Sequence, residues 1–373
     1  MKSNQKTVLF FCRFPPPFCG ETIGSKLVYD LLKQDLDITT LELLDNNREI
    51  DEGGKFRLVR AIKTLYKLFV VLRLVKSKRP DSFYMVPAAS KLGHFRDALI
   101  VLLVRPYVGN IVCHVRNGNF HDILAVTGMK GLSRRFIEKT DYFIFLGENL
   151  SQRASKLIPN GKRVVIPNYI DEDVCFDDDE INKKLSAHKN REQFNILFLS
   201  NMHLSKGYMD LLDALGESKL PVNWVAHFVG SWPSEKDKVV FLEKIAALGI
   251  ADQVEVYGAI KDRKKVKALL AKSDVFVLPT FYPIEAQPRS IIESLNAATP
   301  VITTRHASIT EYVFDGSNGF LIDKNSPEQI GEALLKLADM DIWESMAQNA
   351  RQSYLSIFDQ KTIRKKLYKV IGD

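Results

Sequence analysis

The chain has 373 residues and a formal net charge of +7, with 46% hydrophobic and 26% charged residues, so it has the composition of a globular protein and enough length for two hydrophobic cores. It contains no run of about 18 uncharged apolar residues, and its N-terminal residues lack an apolar signal core, so neither a membrane span nor a secretory leader is expected. The four cysteines show no paired or metal-ligand spacing, which favours buried free thiols in a reducing cytoplasm.

The charge is divided unevenly along the chain. Residues 1–170 hold 27 Lys and Arg against 15 Asp and Glu, a net of +12, whereas the remaining residues hold 25 against 30, a net of −5. A basic half predicts that this part of the protein meets an anionic surface. Nucleic-acid binding would require exposed aromatics among the basic residues, but the aromatics fall mostly in predicted strands, so no nucleic-acid partner is predicted.

The first half alternates strand and helix patterns, which is typical of a parallel, doubly wound sheet. Its opening run, Thr7–Arg13, is apolar and leads through a proline-rich loop to Gly20 and a helix over 22–32. A strand, a glycine-containing loop and a helix start form a Rossmann-like entry, so Gly20 is a candidate for phosphate contact. Further strands are expected at Ile38–Leu44, Ser82–Pro87, Asn110–Val115, Asp141–Gly147 and Arg163–Pro167, with helices at 56–78 and 91–104.

The predicted helix within Lys55–Arg79 contains nine Lys and Arg residues and no acid. Its apolar stripe at helical spacing consists of Leu58, Ile62, Leu65, Phe69 and Leu72. Packing of this stripe on the sheet explains the apolar residues but not why every charge is positive. Each basic residue near anionic lipid contributes about 1 kcal/mol. We therefore expect Lys55–Arg79 to bind an anionic membrane, which places the protein peripherally on the cytoplasmic face.

Two polar residues stand near the carboxyl end of the fourth strand. His114 and Arg116 are two positions apart, so their side chains fall on one face of the strand. Ligands of parallel sheets bind at the carboxyl ends of strands. An arginine there cannot act as a base, but it can hold phosphate or sugar oxygens. The alternative, a hydrogen-bonded histidine at the strand end and a surface arginine, stays open.

Residues 171–193 are acidic and polar, and we assign them to a linker with one short helix. The second half resumes the alternation of strands and helices. Its expected strands are Phe194–Leu199, Val225–Gly230 and Val254–Gly258, and its expected helices are Tyr208–Leu215, Lys264–Ala271, Pro327–Ala338, Ile342–Tyr354 and Gln360–Ile371.

Two positions in this half are candidates for nucleotide contact. Lys206 lies just before a helix start, where a cation is unfavourable beside the positive end of the helix dipole. A bound anion would offset this unfavourable placement. Gly230 ends a strand, which is consistent with a nucleotide approaching the backbone, although glycine is common after strands in any case.

The stretch Asp274–Thr304 combines a strand, a loop, a helix and a second strand. Val275–Leu278 and Val301–Thr304 are short apolar runs typical of buried parallel strands. Pro288 supplies the backbone angle favoured at a helix start. The amides near Gln287–Ile291 are then unpaired helix donors, which suit a phosphate.

Two glutamates stand eight positions apart in this stretch. Glu293 lies one turn inside the helix, and its side chain leans toward the helix start, where it can reach hydroxyls beside a phosphate. Glu285 stands in the loop, at the mouth of the expected ligand site. Either residue alone has a simpler explanation, because Glu293 can complement the helix dipole and Glu285 can be a solvated loop residue.

The whole string resembles the donor-site signature of glycosyltransferase family 4, retaining enzymes with two Rossmann-like domains. In that family two glutamates eight positions apart bracket a Gly-Phe-Pro-type loop, where this chain has Ala286-Gln287-Pro288. Pro167–Asp171 resembles the family's Pro-Asn-Gly-Ile-Asp crossover, with Tyr169 in place of glycine. The resemblance also aligns Lys206 with a lysine that holds the donor diphosphate, and Asn201 with the arginine beside it.

The resemblance implies a GT-B architecture of two Rossmann-like doubly wound domains facing across a cleft. The expected domains are 1–170 on the acceptor side, the linker 171–193, the nucleotide-sugar domain 194–355, and 356–373 as a helix packing back on the first domain. Family members commonly carry two glycines at the position of Cys19-Gly20. They also carry a sugar-contacting histidine at the position that aligns with Arg116, two residues after His114.

The implied function is retaining transfer of a hexose from a UDP- or GDP-linked sugar to a glycan or lipid-linked acceptor in surface polysaccharide biosynthesis. No cofactor and no metal are expected. The implied catalytic residues are Glu285, Arg116 and His114, and the implied donor-binding residues are Lys206, Asn201, Gln287, Pro288, Arg289, Ser290, Glu293, Gly230 and Gly20. A nucleotide-sugar 2-epimerase and a non-catalytic nucleotide-binding protein of the same fold remain alternatives.

Overall fold

The protein divides into two compact units, which we describe from a computed structural model covering residues 5–16, 18–42, 55–189, 191–217 and 220–372. For residues 55–65 only the backbone is described. The first unit comprises Met1–Pro167 with Gln360–Asp373, and the second comprises Asn168–Asp359. The chain thus leaves the first unit at Pro167 and returns to it for its last helix.

The first unit contains a six-stranded sheet in which every described pair of strands is parallel. The strands are β1 (Thr7–Cys12), β2 (Asp37–Glu42), β3 (Ser82–Met85), β4 (Asn110–Val115), β5 (Tyr142–Phe145) and β6 (Arg163–Val165). Their order across the sheet is β2-β1-β3-β4-β5-β6. The central strands β3 and β4 are buried along their whole length, because helices cover both faces of a parallel sheet.

Six helices of the first unit connect these strands. They are α1 (Gly20–Leu32), α2 (Lys55–Lys78), α3 (Lys91–Val104), α4 (Phe120–Leu124), α5 (Lys130–Lys139) and α6 (Glu148–Arg153). In the described part of α2, Val71 and Val75 are buried, whereas Phe69 is 61% exposed. The predicted stripe is therefore wrong for Phe69, because the buried residues Val71 and Val75 lie about half a turn away from Phe69 on the helix. Leu58, Ile62 and Leu65 lie outside the described side chains.

The second unit repeats the architecture. Its strands are β7 (Phe194–Leu199), β8 (Trp224–Val229), β9 (Val254–Gly258), β10 (Val275–Leu278), β11 (Val301–Thr304) and β12 (Gly319–Ile322), in the order β12-β11-β10-β7-β8-β9. Its helices are α7 (Asp178–His188), α8 (Tyr208–Glu217), α9 (Glu235–Ala247), α10 (Arg263–Lys272), α11 (Arg289–Asn296), α12 (Pro327–Ala338) and α13 (Met340–Ile357). The two parallel six-stranded sheets confirm the predicted pair of Rossmann-like domains.

The segment assigned to a linker, 171–193, is instead packed into the second unit. Helix α7 within it begins with a capping box between Asp177 and Glu180. Lys184 on α7 is buried, and its ammonium donates to the carbonyls of Leu270 and Ala297, each at 2.8 Å. The polar composition that indicated a linker thus reflects a cap and a buried hydrogen-bonded lysine.

The last helix, α14 (Gln360–Gly372), belongs to the first unit. Its buried residues Ile363 and Leu367 pack toward β1, β3 and β4. The side-chain amide of Asn110 at the start of β4 donates to the carbonyl of Val370 at 2.9 Å. None of the helices described for this chain has the length and apolar content that crossing a bilayer requires.

Candidate functional site

Two loops of the second unit meet at the carboxyl ends of β7 and β10. The backbone amide of Phe281 donates to the carbonyl of Ser205 at 2.8 Å, which ties the loop after β10 to the loop after β7. Gly207 has a φ of 78°, and a Cβ atom there would come within 2.4 Å of the carbonyl oxygen of Pro279. Glycine is required because the backbone is left-handed and the other loop occupies the space of a side chain.

This contact between the loops brings Lys206 and Glu285 together. The ammonium of Lys206 donates to the Glu285 carboxylate, and both side chains are only 11% exposed. The hydroxyl of Thr280 donates to the same carboxylate at 3.3 Å. Lys206 Nζ also lies 4.6 Å from the centre of the Tyr282 ring. The residues implied for phosphate and for sugar contact are therefore direct neighbours.

Helix α11 begins shortly after this ion pair. Pro288 occupies the position before its first residue with an extended backbone, and it provides no side-chain cap. The first-turn amides of Ser290 and Ile291 therefore point out of the helix start, where the helix geometry provides no internal acceptor. Such amides, together with the positive end of the helix dipole, are suited to a phosphate.

The side chains of Gln287 and Arg289 contact Asn168. The Gln287 side-chain oxygen accepts from the backbone amide of Asn168 at 2.6 Å, and the Asn168 side-chain amide donates to the Gln287 carbonyl at 2.9 Å. The Arg289 guanidinium donates to the side-chain oxygen of Asn168, also at 2.9 Å. These bonds anchor the start of the second unit to the loop before α11. Contact of either side chain with a donor stays a prediction.

Glu293 lies one turn inside α11 and is 5% exposed. Its carboxylate accepts a hydrogen bond from the guanidinium of Arg263, the first residue of α10. Burial raises the pKa of Glu293, and the positive charge of Arg263 opposes this rise. The glutamate implied for ribose contact therefore has a cationic partner within the protein.

Gly230 stands where the loop after β7 passes the end of β8. A Cβ atom at Gly230 would come within 1.8 Å of the carbonyl oxygen of Ser200. The close approach predicted for a nucleotide is thus made by the protein backbone. Beside this contact, the side-chain oxygen of Asn201 accepts a hydrogen bond from the Ser231 hydroxyl at 2.8 Å. Asn201, which the resemblance aligns with an arginine, therefore connects the loop after β7 to the loop after β8.

His114, Arg116 and Gly20 lie in the first unit. His114 is buried, with Nδ1 2.9 Å from the hydroxyl of Tyr84. The Arg116 guanidinium donates to the carbonyl of Gly24 at 3.1 Å. For His114 these contacts match the structural alternative, a hydrogen-bonded histidine at a strand end. A Cβ atom at Gly20 would meet no described atom within 4 Å, so packing does not require glycine there.

Besides Thr280 and Asn168, the contacting residues outside the predicted set include Tyr282, His203 and Arg263. Tyr282 and His203 stack with ring centres 5.6 Å apart, and Arg263 binds Glu293. Tyr282 stands three residues before Glu285, and the only available signal was this proximity in sequence. Arg263 could have been suspected because a buried helical glutamate needs a cationic partner, but its position on another helix has no sequence pattern.

The site combines the Lys206 ammonium, the carboxylates of Glu285 and Glu293, and the uncapped amides of helix α11. The ammonium and the amides bind anions, and the carboxylates accept hydrogen bonds from hydroxyls. Within the described ranges, no group of three or more His, Cys, Asp or Glu side chains is placed to hold a metal ion. Metal independence stays a prediction.

Residues 178–353 match the family model of the glycosyl transferases group 1. WcaL of Salmonella typhimurium, named as a glycosyltransferase of colanic acid biosynthesis, is 31% identical over 124 residues, which are 32% of this chain and 30% of that protein. An Escherichia coli protein named UDP-Gal:alpha-D-GlcNAc-diphosphoundecaprenol alpha-1,3-galactosyltransferase is 29% identical over 97 residues, 26% of this chain and 24% of its own. The chain thus matches less than a third of the length of these two relatives.

The solved structure of Anabaena Alr3699/HepE in complex with UDP-glucose shares the fold with a TM-score of 0.73 and 18% identity, over 97% of this chain and 98% of that one. Identity at this level shows the fold alone. The chain therefore has the two-domain GT-B fold of glycosyltransferases, and its residues 178–353 match the group 1 glycosyl transferases.

Proposed function

We propose that this protein is a retaining, metal-independent glycosyltransferase of family 4 that transfers a hexose from a nucleotide-diphosphate sugar to a glycan hydroxyl. In this proposal Lys206 and the first-turn amides of α11 bind the diphosphate. Glu293 binds the donor ribose, and Glu285 binds hydroxyls of the transferred sugar. The Lys206–Glu285 ion pair is the main support for the proposal, because it places the residue predicted to bind phosphate next to the residue predicted to bind the sugar.

In the proposed reaction these residues act mainly by electrostatic stabilisation of the leaving group. The bond between the anomeric carbon and the phosphate oxygen breaks, and a bond from the acceptor oxygen to the same carbon forms on the same face. The acceptor proton passes to the leaving phosphate oxygen. Negative charge grows on the diphosphate in this step, and the largely buried Lys206 ammonium with the Ser290 and Ile291 amides stabilises it.

The donor and the acceptor are proposed by analogy. UDP-glucose occupies the Anabaena protein that shares the fold, so a UDP sugar is the first donor to test, with GDP sugars as the second class. The name of the Escherichia coli relative specifies a diphosphoundecaprenol-linked acceptor. A lipid-linked glycan is therefore the proposed acceptor, and surface polysaccharide biosynthesis the proposed process.

A lipid-linked acceptor lies in a membrane, and helix α2 has a surface suited to binding one. Tyr66, Phe69, Arg73 and Lys76 recur at spacings of three and four, so they share one face of the helix. Tyr66 is 67% and Phe69 is 61% exposed, and Arg73 and Lys76 are exposed as well. Aromatic side chains beside basic ones suit the headgroup region of an anionic membrane. The described side chains from 66 to 76 thus support peripheral membrane binding.

The donor assignment is tested with purified protein and a panel of UDP and GDP sugars, each with and without a lipid extract. We expect one nucleotide sugar to raise the melting temperature and to be consumed with release of its nucleoside diphosphate. Lys206→Ala is the control for the site, since it should weaken both effects. Analysis of the product linkage then tests retention, because an inverted anomeric carbon would contradict the proposed mechanism.

The same panel separates the alternatives. Interconversion of one nucleotide sugar into its 2-epimer without any acceptor would replace the proposal by an epimerase. Donor binding without turnover under all acceptor conditions would favour a non-catalytic nucleotide-binding protein. Absence of binding to every nucleotide sugar would overturn the proposed function altogether.

Membrane binding is tested by sedimentation with vesicles that contain or lack anionic lipid. We expect binding that requires anionic lipid and falls as salt screens the exposed charges. Arg73→Glu with Lys76→Glu should release the protein. The matched control is Lys365→Glu with Lys366→Glu, which makes the same change in charge at exposed residues of α14. Equal release by both pairs would show that the net charge and not the α2 face is responsible.

A further inference from the structure

Tyr282 is the junction of three loops in the second unit. Its carbonyl accepts hydrogen bonds from the backbone amide of Glu285 at 2.9 Å and from the His306 ring at 2.8 Å. Its own amide donates to the Thr280 hydroxyl at 3.3 Å. The backbone of Tyr282 is therefore fixed from both sides, and the direction of its side chain is set by the loop rather than by solvent.

The Tyr282 ring contacts two residues of the loop after β7. The His203 ring stacks on it at 5.6 Å with 10° between the ring planes. Lys206 Nζ lies 4.6 Å from the ring centre, within cation–π distance. A side chain from the loop after β10 thus holds a cation of the other loop next to Glu285.

We infer that Tyr282 is a positioning residue that holds the Lys206 ammonium in place for the donor diphosphate. This inference rests on the proposed function, in which Lys206 binds that diphosphate. A lysine side chain has about 2 kcal/mol of rotamer entropy to lose when it is fixed. The ring removes part of this freedom before the donor arrives, which strengthens binding of the donor by preorganisation.

Glu285 cannot provide this positioning by itself. Its carboxylate is negative, so it competes with the diphosphate for the same ammonium, and in the proposed function it turns to the sugar hydroxyls once the donor is bound. The Tyr282 ring is neutral and contacts the ammonium through its face. It can therefore keep Lys206 in place while the N–H groups of the ammonium exchange the carboxylate for phosphate oxygens.

The experiment is a double-mutant cycle on Tyr282 and Lys206, with UDP as the probe and isothermal titration calorimetry of the full chain. Tyr282→Phe keeps the ring and should bind UDP within about twofold of the wild type. Tyr282→Leu removes the ring and should weaken UDP binding about tenfold, or about 1.4 kcal/mol. In the Lys206→Ala background, Tyr282→Leu should change UDP affinity less than twofold.

Equal losses from Tyr282→Leu with and without Lys206 would overturn the inference, because the ring would then act independently of the ammonium. Unchanged UDP binding in Tyr282→Leu would also overturn it. If Tyr282→Leu fails to fold, His203→Ala tests the same arrangement by removing the stacked ring. It should weaken UDP binding about threefold when Lys206 is present and leave it unchanged in the Lys206→Ala variant. A wild type that does not bind UDP or any nucleotide sugar would instead reject the proposed function.

Discussion

Replacement of Glu285 by glutamine should strengthen the binding of UDP while it impairs sugar transfer. In the protein without donor, the Glu285 carboxylate occupies the Lys206 ammonium, and both side chains are only 11% exposed. A hydrogen bond to a charged group contributes about 1.5–3 kcal/mol. The diphosphate must displace or share this bond in the wild type, whereas the neutral amide of Glu285→Gln competes weakly. Recovery of about 1.4 kcal/mol corresponds to tenfold tighter UDP binding.

The sugar-bearing donor should respond in the opposite direction. If Glu285 binds hydroxyls of the transferred sugar, Glu285→Gln gives up that charged contact and turnover should fall about ten- to hundredfold. Calorimetry with UDP and kinetics with the nucleotide sugar measure the two effects separately. Glu332→Gln on α12 is the control, since it removes the same charge from an exposed position. UDP binding that is unchanged or weaker in a folded Glu285→Gln variant would refute the reasoning.

Three further predictions concern buried charges. Lys206→Ala should lower both donor affinity and turnover, because a charge on the diphosphate acts in the ground state and the transition state; wild-type values for both would remove Lys206 from the site. Glu293→Gln should lower the free energy of unfolding by about 2 kcal/mol, because Arg263 loses its buried partner. The losses of unfolding free energy measured in denaturant for Glu293→Gln and Arg263→Leu should not add up to the loss in the double variant. Burial lowers the pKa of Lys184 to about 7 from 10.5, so the folded protein releases this proton before the unfolded chain does, and wild-type stability should rise by about 2 kcal/mol from pH 7 to pH 9. Urea melts of Lys184→Met should lack this rise, and parallel pH profiles would contradict it.

The sequence predicts the strands of the second unit well because they are short apolar runs bounded by turn residues. β7, β9, β10 and β11 begin and end at the predicted residues. Helix α9 was not predicted. Its exposed face carries Val239, Val240 and Leu242, which obscure the one-sided apolar pattern that identifies a surface helix. The same difficulty arises in α2, where apolar residues on several sides leave the buried face undetermined.

The sequence suggests individual candidate residues for the site but not the contacts between them. Lys206 and Glu285 are 79 positions apart, and Arg263 and Glu293 are 30 apart. Nothing in local periodicity indicates that these charges pair, because their contact depends on the order of strands across the sheet. β10 lies beside β7 in the second unit, so the loops that follow these strands meet. The sequence predicts both strands but not that they are neighbours.

The two ion pairs explain why the charge of the second unit says little about its donor. Lys206 forms an ion pair with Glu285, and Glu293 forms one with Arg263. The charges predicted to contact the donor therefore already have partners in the protein. In the proposed function, binding of a diphosphate at this site is therefore an exchange of partners, in which the Lys206 ammonium exchanges a carboxylate for a phosphate. Such an exchange depends on short-range geometry and desolvation and responds weakly to salt. The exposed basic residues of α2, in contrast, act through a field that salt screens. In the proposed function, recognition of the donor and binding to a membrane therefore use separate electrostatic mechanisms in separate units of the chain, and salt should distinguish one from the other.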